Sequence, residues 1–102
     1  MTREDVIAVL KAHEPQLRRR GVVRAGLFGS MARGEAGPDS DIDVLIRFDE
    51  AASVTLYDYV ALKRYVSTVL KRRFKCPVDV IDLDGMRGFA RPAAERDALY
   101  AF

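Results

Sequence analysis

Three aspartates define the chemistry open to this chain. Asp41 and Asp43 stand two apart in the run Asp41-Ile42-Asp43-Val44-Leu45-Ile46, and Asp79 stands between Val78 and Val80. Side chains alternate along a strand, so Ile42, Val44 and Ile46 take one face and Asp41 and Asp43 the other. With the apolar set turned to a core, the two carboxylates sit side by side, about 6.6 Å apart along the strand. Aspartate is depleted in strands, and like charges about 4 Å apart repel by about 4 kcal/mol at an effective dielectric of about 20. Such an arrangement does not serve stability. A divalent cation reverses the sign of the interaction, and hard oxygen donors suit magnesium.

The valines beside Asp79 point to the core, which sends Asp79 to the opposite face. If its strand pairs with the Asp41 strand, three carboxylates meet on one surface. Magnesium takes one or two protein carboxylates and fills its shell with water and substrate phosphates. Three carboxylates therefore suit a one- or two-metal phosphoryl-transfer site, with the third also able to act as general base. Gly29-Ser30 supplies a complementary element, following the apolar run Val22-Val23-Arg24-Ala25-Gly26-Leu27-Phe28 and opening a short helical turn. Free backbone N–H groups and the Ser30 hydroxyl are then placed to meet an anion, and glycine at 29 allows close backbone approach.

The elements that must position these groups can be read along the chain. Thr2 is an N-cap candidate for a first helix, with Glu4 and Asp5 in its first turn and Val6, Ile7, Val9 and Leu10 at helical spacing. Pro15 ends or restarts that helix, and Gly21 stops it after Arg18-Arg19-Arg20. Residues 22–28 read as a buried strand, 31–33 as a short turn closed by Gly34, and Gly37-Pro38-Asp39 as a loop. Residues 41–48 read as a second strand and residues 54–74 as a long helix with Leu56, Tyr59, Val60, Val66, Val69 and Leu70 on a broad stripe. Pro77 breaks that helix before a third strand at residues 78–81, and Pro92 is expected to open a closing helix through Phe102. The expected fold is α/β (α+β): a small mixed sheet of about three or more strands flanked by helices.

Composition bounds the remaining possibilities. The 102 residues predict a single domain, residues 1–102, and 49% hydrophobic with 31% charged residues is a globular balance. No apolar run reaches the roughly 20 residues of a membrane span, and the charged N-terminus does not read as a signal peptide. One cysteine, Cys76, excludes an internal disulfide and reads as a small buried hydrophobe. A cytoplasmic location is expected. The net charge of +2 is too small to argue for nucleic-acid binding; the runs Arg18–Arg20 and Lys71-Arg72-Arg73-Phe74-Lys75 read as solvated faces complementing helix dipoles. Asp82 and Asp84 read as turn formers before Gly85, lone His13 as a helix-end residue, and Tyr57, Tyr59, Tyr65 and Tyr100 as core or interface. Neither a P-loop lysine motif nor a Rossmann glycine fingerprint is present.

The segments Gly29-Ser30-Met31-Ala32-Arg33-Gly34 and Ser40-Asp41-Ile42-Asp43-Val44-Leu45, with Val78-Asp79-Val80 after the long helix, resemble the signature of the DNA polymerase beta-like nucleotidyltransferases. In this short form the chain is similar to the minimal nucleotidyltransferases, the MNT antitoxins of HEPN/MNT toxin–antitoxin pairs. The resemblance implies that Gly29, Ser30 and the nearby backbone hold the triphosphate of ATP. It also implies that Asp41 and Asp43 bind magnesium, and that Asp79 binds a second metal or helps deprotonate the acceptor. Arg33 occupies the family's arginine position, for a phosphate or a structural contact. By the same resemblance, AMP passes from ATP to a tyrosine of a HEPN ribonuclease toxin, in a hetero-oligomer without direct nucleic-acid binding. Two alternatives remain open: a non-catalytic antitoxin that masks its toxin, and nucleotidyl transfer to a small molecule such as an aminoglycoside.

Overall fold

A computed structural model of the chain describes residues 2–35, 41–85 and 95–102. The expected loop at Gly37-Pro38-Asp39 and the helix start at Pro92 lie outside the described residues. Helix α1 (Arg3–Ala12) begins where capping chemistry places it. The Thr2 side chain accepts from the Asp5 N–H, and the Asp5 carboxylate accepts from the Thr2 N–H at 2.9 Å. Pro15 restarts the chain as α2 (Glu14–Arg19) because proline fits the first helical turn, where its missing N–H costs nothing. Gly21, at φ +93°, then turns the chain into β1 (Val22–Leu27).

The short helix α3 (Gly29–Ala32) follows β1 directly, and β2 (Ile42–Phe48) pairs antiparallel with β1. Helix α4 (Leu56–Phe74) starts at a second capping box built by Thr55 and Asp58, whose carboxyl lies below its ordinary range because the Thr55 backbone and hydroxyl bond to it. It ends before Pro77: Lys75 adopts the left-handed conformation at φ 55° and closes the helix through its N–H to the Lys71 carbonyl. Strand β3 (Val78–Asp82) then runs parallel to β2, so α4 is the crossover that a parallel pair requires. A 3₁₀ turn (Leu83–Gly85) follows, in which Asp82 Oδ1 accepts from the Asp84 N–H, consistent with the turn-forming role expected of both.

The closing helix expected after Pro92 does not extend to Tyr100. Leu99–Tyr100 form a short strand, β4, antiparallel to β1 at Gly26 and Leu27, and complete a mixed sheet in the order β3-β2-β1-β4. The open edge of β1 decides this: Gly26 has no side chain, and an added Cβ there would stand 2.4 Å from the Leu99 carbonyl and 2.7 Å from Tyr100 Cα. Gly26→Val is therefore expected to detach β4, since backbone cannot yield as a flexible side chain would. Exchange protection of the Ala101 N–H, which bonds the Ala25 carbonyl at 2.8 Å, should fall at least tenfold. Unchanged protection would show that β4 tolerates the contact.

One sheet face packs under the helices. Val6, Leu10 and Leu17 from α1 and α2, and Leu62, Val66 and Leu70 from α4, close over Ala25, Leu27, Ile42, Val44, Ile46 and Val80. The alternation expected for β2 thus holds at Ile42, Val44 and Ile46. Leu45 departs from a purely polar second face. It is buried with Leu83 in a small separate cluster that Phe28, Ala98 and Tyr100 partly cover. Cys76 packs at the margin of the main core, and Tyr59 and Tyr65 from α4 also pack against it. His13, at the joint between α1 and α2, hydrogen-bonds the Tyr65 hydroxyl and meets its ring edge-on.

Candidate active site

The carboxylate patch lies at one end of the sheet. In the parallel register Asp43 is the direct partner of Asp79, with Val44 opposite Val80 and Leu45 opposite Ile81. The core-facing valines alternate with the aspartates, so Asp43 and Asp79 emerge on the same face of adjacent strands. Asp41 stands just before β2, exposed, and Asp79 is exposed as well; Asp43 is half-buried. Burial raises the Asp43 carboxyl above its ordinary value, and the negative charges of Asp79 and Asp41 raise it further. The like-charge repulsion expected from the sequence thus adds to burial at Asp43.

The turn between β1 and α3 is built against the same carboxylate. Gly29 sits at φ +71°, and a Cβ there would lie 2.8 Å from Asp43 Oδ2. The Asp43 carboxylate thus rests directly over glycine backbone. The Phe28 N–H also bonds the Asp43 carbonyl at 3.0 Å, tying the end of β1 to the strand that carries the acids. Ser30 follows in α3 and is partly exposed beside this contact. The structure therefore brings Gly29, Asp43 and Asp79 together, with Ser30 and Asp41 flanking them.

Arg33 occupies a different environment. Its guanidinium pairs with Glu35 at 3.0 Å and with Asp97 at 3.6 Å, and the Glu35 hydrogen bond is the main cause of its raised pKa. These pairs join the turn after α3 to the segment before β4. Sequence reading missed a second strut: Arg3 Nη1 donates to the Ala32 carbonyl at 2.7 Å and so ties the start of α1 to the end of α3. Nothing local announces that bond, since the partners are 29 residues apart.

The donor set suits a hard cation that arrives with a phosphate ligand. All three side chains offer carboxylate oxygen, and the two in register share a repulsion that positive charge would relieve. Among the described residues no group of three or more His, Cys, Asp or Glu side chains is placed to hold a metal ion. Magnesium asks for fewer, because one or two carboxylates plus water and phosphate oxygens complete its shell.

Residues 10–99 match the family model described as the nucleotidyltransferase domain. The chain belongs to this nucleotidyltransferase family. The nucleotidyltransferase is a homologue of the protein adenylyltransferase MntA of Thermococcus cleftensis, 35% identical over 101 residues that cover 98% of this chain and 96% of the relative. It superposes on a solved minimal nucleotidyltransferase with a TM-score of 0.76 at 34% identity, covering 97% of this chain and 95% of the other. A toxin–antitoxin crystal structure with AMP-PNP shares the fold at a TM-score of 0.64 and 18% identity, over 90% of this chain and 72% of that one. Among the described residues no helix is long and apolar enough to cross a membrane.

Proposed function

We propose that this nucleotidyltransferase is an antitoxin that moves AMP from ATP to a tyrosine of a HEPN ribonuclease toxin and so silences it. The observation that carries the chemistry is the in-register pair Asp43–Asp79 beside the Gly29 backbone. The acceptor class is supported by the likeness to a protein named as a protein adenylyltransferase, matched along almost its whole length.

The residues divide the work by position. Backbone N–H groups at Gly29 and Ser30, with the Ser30 hydroxyl, bind phosphate oxygens of ATP and orient the α-phosphorus toward the carboxylates. Asp41, Asp43 and Asp79 would hold magnesium, which when bound neutralises charge on the phosphates and on the reacting oxygens. The tyrosyl oxygen attacks the α-phosphorus in line; the new O–P bond forms as the bond to pyrophosphate breaks. Asp79 accepts the phenolic proton in this reading, which its exposure at the rim supports. Arg33, engaged by Glu35 and Asp97, braces the turn that bears Ser30.

The test is intact-mass measurement of the adjacent-gene product after incubation with this protein, ATP and magnesium. One or more AMP units should be added, and none by the Asp41→Asn Asp43→Asn variant. A stable complex without any mass gain would replace transfer with masking. AMP on a small acceptor and not on the protein would replace the toxin with a small molecule.

A further inference from the structure

Charge in this chain is divided between its layers. Residues 3–20 and 56–75, which carry α1, α2 and α4, hold 11 of the 17 lysines and arginines and only 4 of the 15 acidic residues. The remainder, which includes the carboxylate patch, holds 6 basic against 11 acidic residues. The small net charge therefore hides a basic excess in the segments that form α1, α2 and α4 and an acidic excess in the rest of the chain.

The same helical layer carries an apolar patch. Leu56 is 78% exposed, Tyr57 88% and Val60 48%, and all three lie in the first two turns of α4. Leu56 and Val60 are one helical turn apart, and Arg64 extends their row by another. The buried stripe of α4, Leu62, Val66 and Leu70, is turned about 100° away from that row. Clustered exposure of this kind on a helix already anchored to a sheet marks a contact surface. Beside it opens a groove of about 660 Å³ between Arg18, Arg19 and Arg20 on one wall and Ala52, Val54 and Asp58 on the other. Two acids also line the groove, Asp49 and Asp58, and both are engaged by backbone: Asp49 accepts from the Ala51 N–H and Asp58 from the Thr55 N–H of the capping box. The Arg20 guanidinium stands over the Tyr65 ring, 4.8 Å from its centroid, a cation–π contact that uses none of its N–H donors.

We propose that this face, centred on Leu56, Tyr57 and Val60 and rimmed by Arg19, Arg20 and Arg64, docks an apolar, acidic segment of the protein acceptor. The inference rests on the reading that the acceptor is a protein, and adds where it is held. Charge favours an acidic occupant, because the basic rim attracts carboxylates and repels a basic segment. Aliphatic side chains at the centre select protein over nucleic acid: single strands are held by aromatic stacking in a basic groove, whereas tyrosine and arginine around an apolar centre are the composition of protein interfaces. The face is also set apart from the chemistry: the carboxylates stand at the start of β2 and α4 begins beyond its end, with Asp43 and Phe48 five residues, about 17 Å, apart along the strand. Docking and transfer are therefore separable.

Affinity for the purified adjacent-gene product tests this, measured for the wild type, Leu56→Glu Val60→Glu, Tyr57→Ala and Arg19→Glu. Each variant should bind at least tenfold more weakly, while its affinity for a non-hydrolysable ATP analogue stays at the wild-type value. Tyr57→Ala, at the most exposed of the three positions, carries the test if the double variant does not fold. Wild-type affinity in Tyr57→Ala and Arg19→Glu would overturn the docking face and leave the proposed transfer standing. Failure of the wild type itself to bind would remove the protein acceptor and the docking face together. Displacement of the bound acceptor from this face by a single-stranded RNA, with direct RNA binding that the Arg19→Glu variant loses, would assign the face to nucleic acid and overturn the proposal.

Discussion

Asp43→Asn is expected to lower AMP transfer by at least about 10²–10³-fold, the scale seen when one preorganised electrostatic group is removed from a reaction centre, and at the same time to make the protein more stable. The two effects share a cause. Asp43 faces Asp79 in register, is half-buried, and stands near Asp41, so its ionised form is opposed by burial and then by both neighbours. Asparagine keeps the shape and removes the charge. Cross-strand like-charge pairs cost about 0.2–1 kcal/mol, which corresponds to a gain of a few degrees in melting temperature for a domain of this size.

The pH dependence follows from the direction of the shift. A carboxyl whose pKa is higher in the folded state than in the unfolded state binds more protons when folded. Its contribution to stability is therefore complete in acid and declines as pH rises from the ordinary aspartate value through the raised native one. Wild type and Asp43→Asn should converge in melting temperature in acid and separate toward neutrality, with the variant higher. Thermal melts across that range are the measurement. A variant that melts lower at neutral pH would show the carboxylate to be a structural acceptor, and the functional account of its strained position would fall.

Gly29→Ala should damage the same site from the other side. At φ +71° an L-residue in the left-handed region costs roughly 1–2 kcal/mol, or a fall in melting temperature on the order of 10 °C. Its Cβ would stand 2.8 Å from Asp43 Oδ2, so the carboxylate must move. The obstructed atom ends a side chain, which can swing aside, so the fold should survive while the carboxylate loses its position. Misplacement of a reacting group by about 1 Å can cost about 10²-fold in rate. Steady-state transfer measured well below the melting temperature separates this loss from unfolding. Near-normal transfer by a folded Gly29→Ala would mean that the position of Asp43 over the turn is not what the chemistry needs.

Much of this architecture is encoded locally. Thr2 with Asp5 and Thr55 with Asp58 fix two helix starts by bonds within four residues, and Pro15 and Gly21 mark the joint and the exit of α2 through their own dihedral preferences. Alternation in β2 places Ile42, Val44 and Ile46 inward and sends Asp43 to the other face, and the valines around Asp79 do the same in β3. These follow from periodicity and turn chemistry, which need no knowledge of the rest of the chain. So did the candidate residues themselves, because two acids on one strand face make little sense without a cation.

Tertiary structure decided which of these local preferences met. Alternation cannot say that β3 lies beside β2, parallel and with Asp79 level with Asp43; a shift of one residue would turn Asp79 toward the core. Strand β4 has two residues, too few for a periodic signal, and a helix-forming sequence yielded there to the free edge of β1 at Gly26. Leu45 looked like any residue on a polar face until Leu83 covered it. Arg33 and Arg3 found Asp97 and the Ala32 carbonyl far away in sequence. The exposed row on α4 likewise carries the same apolar residues that a buried stripe would; only the packing of Leu62, Val66 and Leu70 against the sheet shows which side was left for solvent or a partner. Local bonds and side-chain alternation are written in neighbouring residues, whereas strand pairing, edge closure and the burial of a face depend on contacts that exist only once the chain has folded.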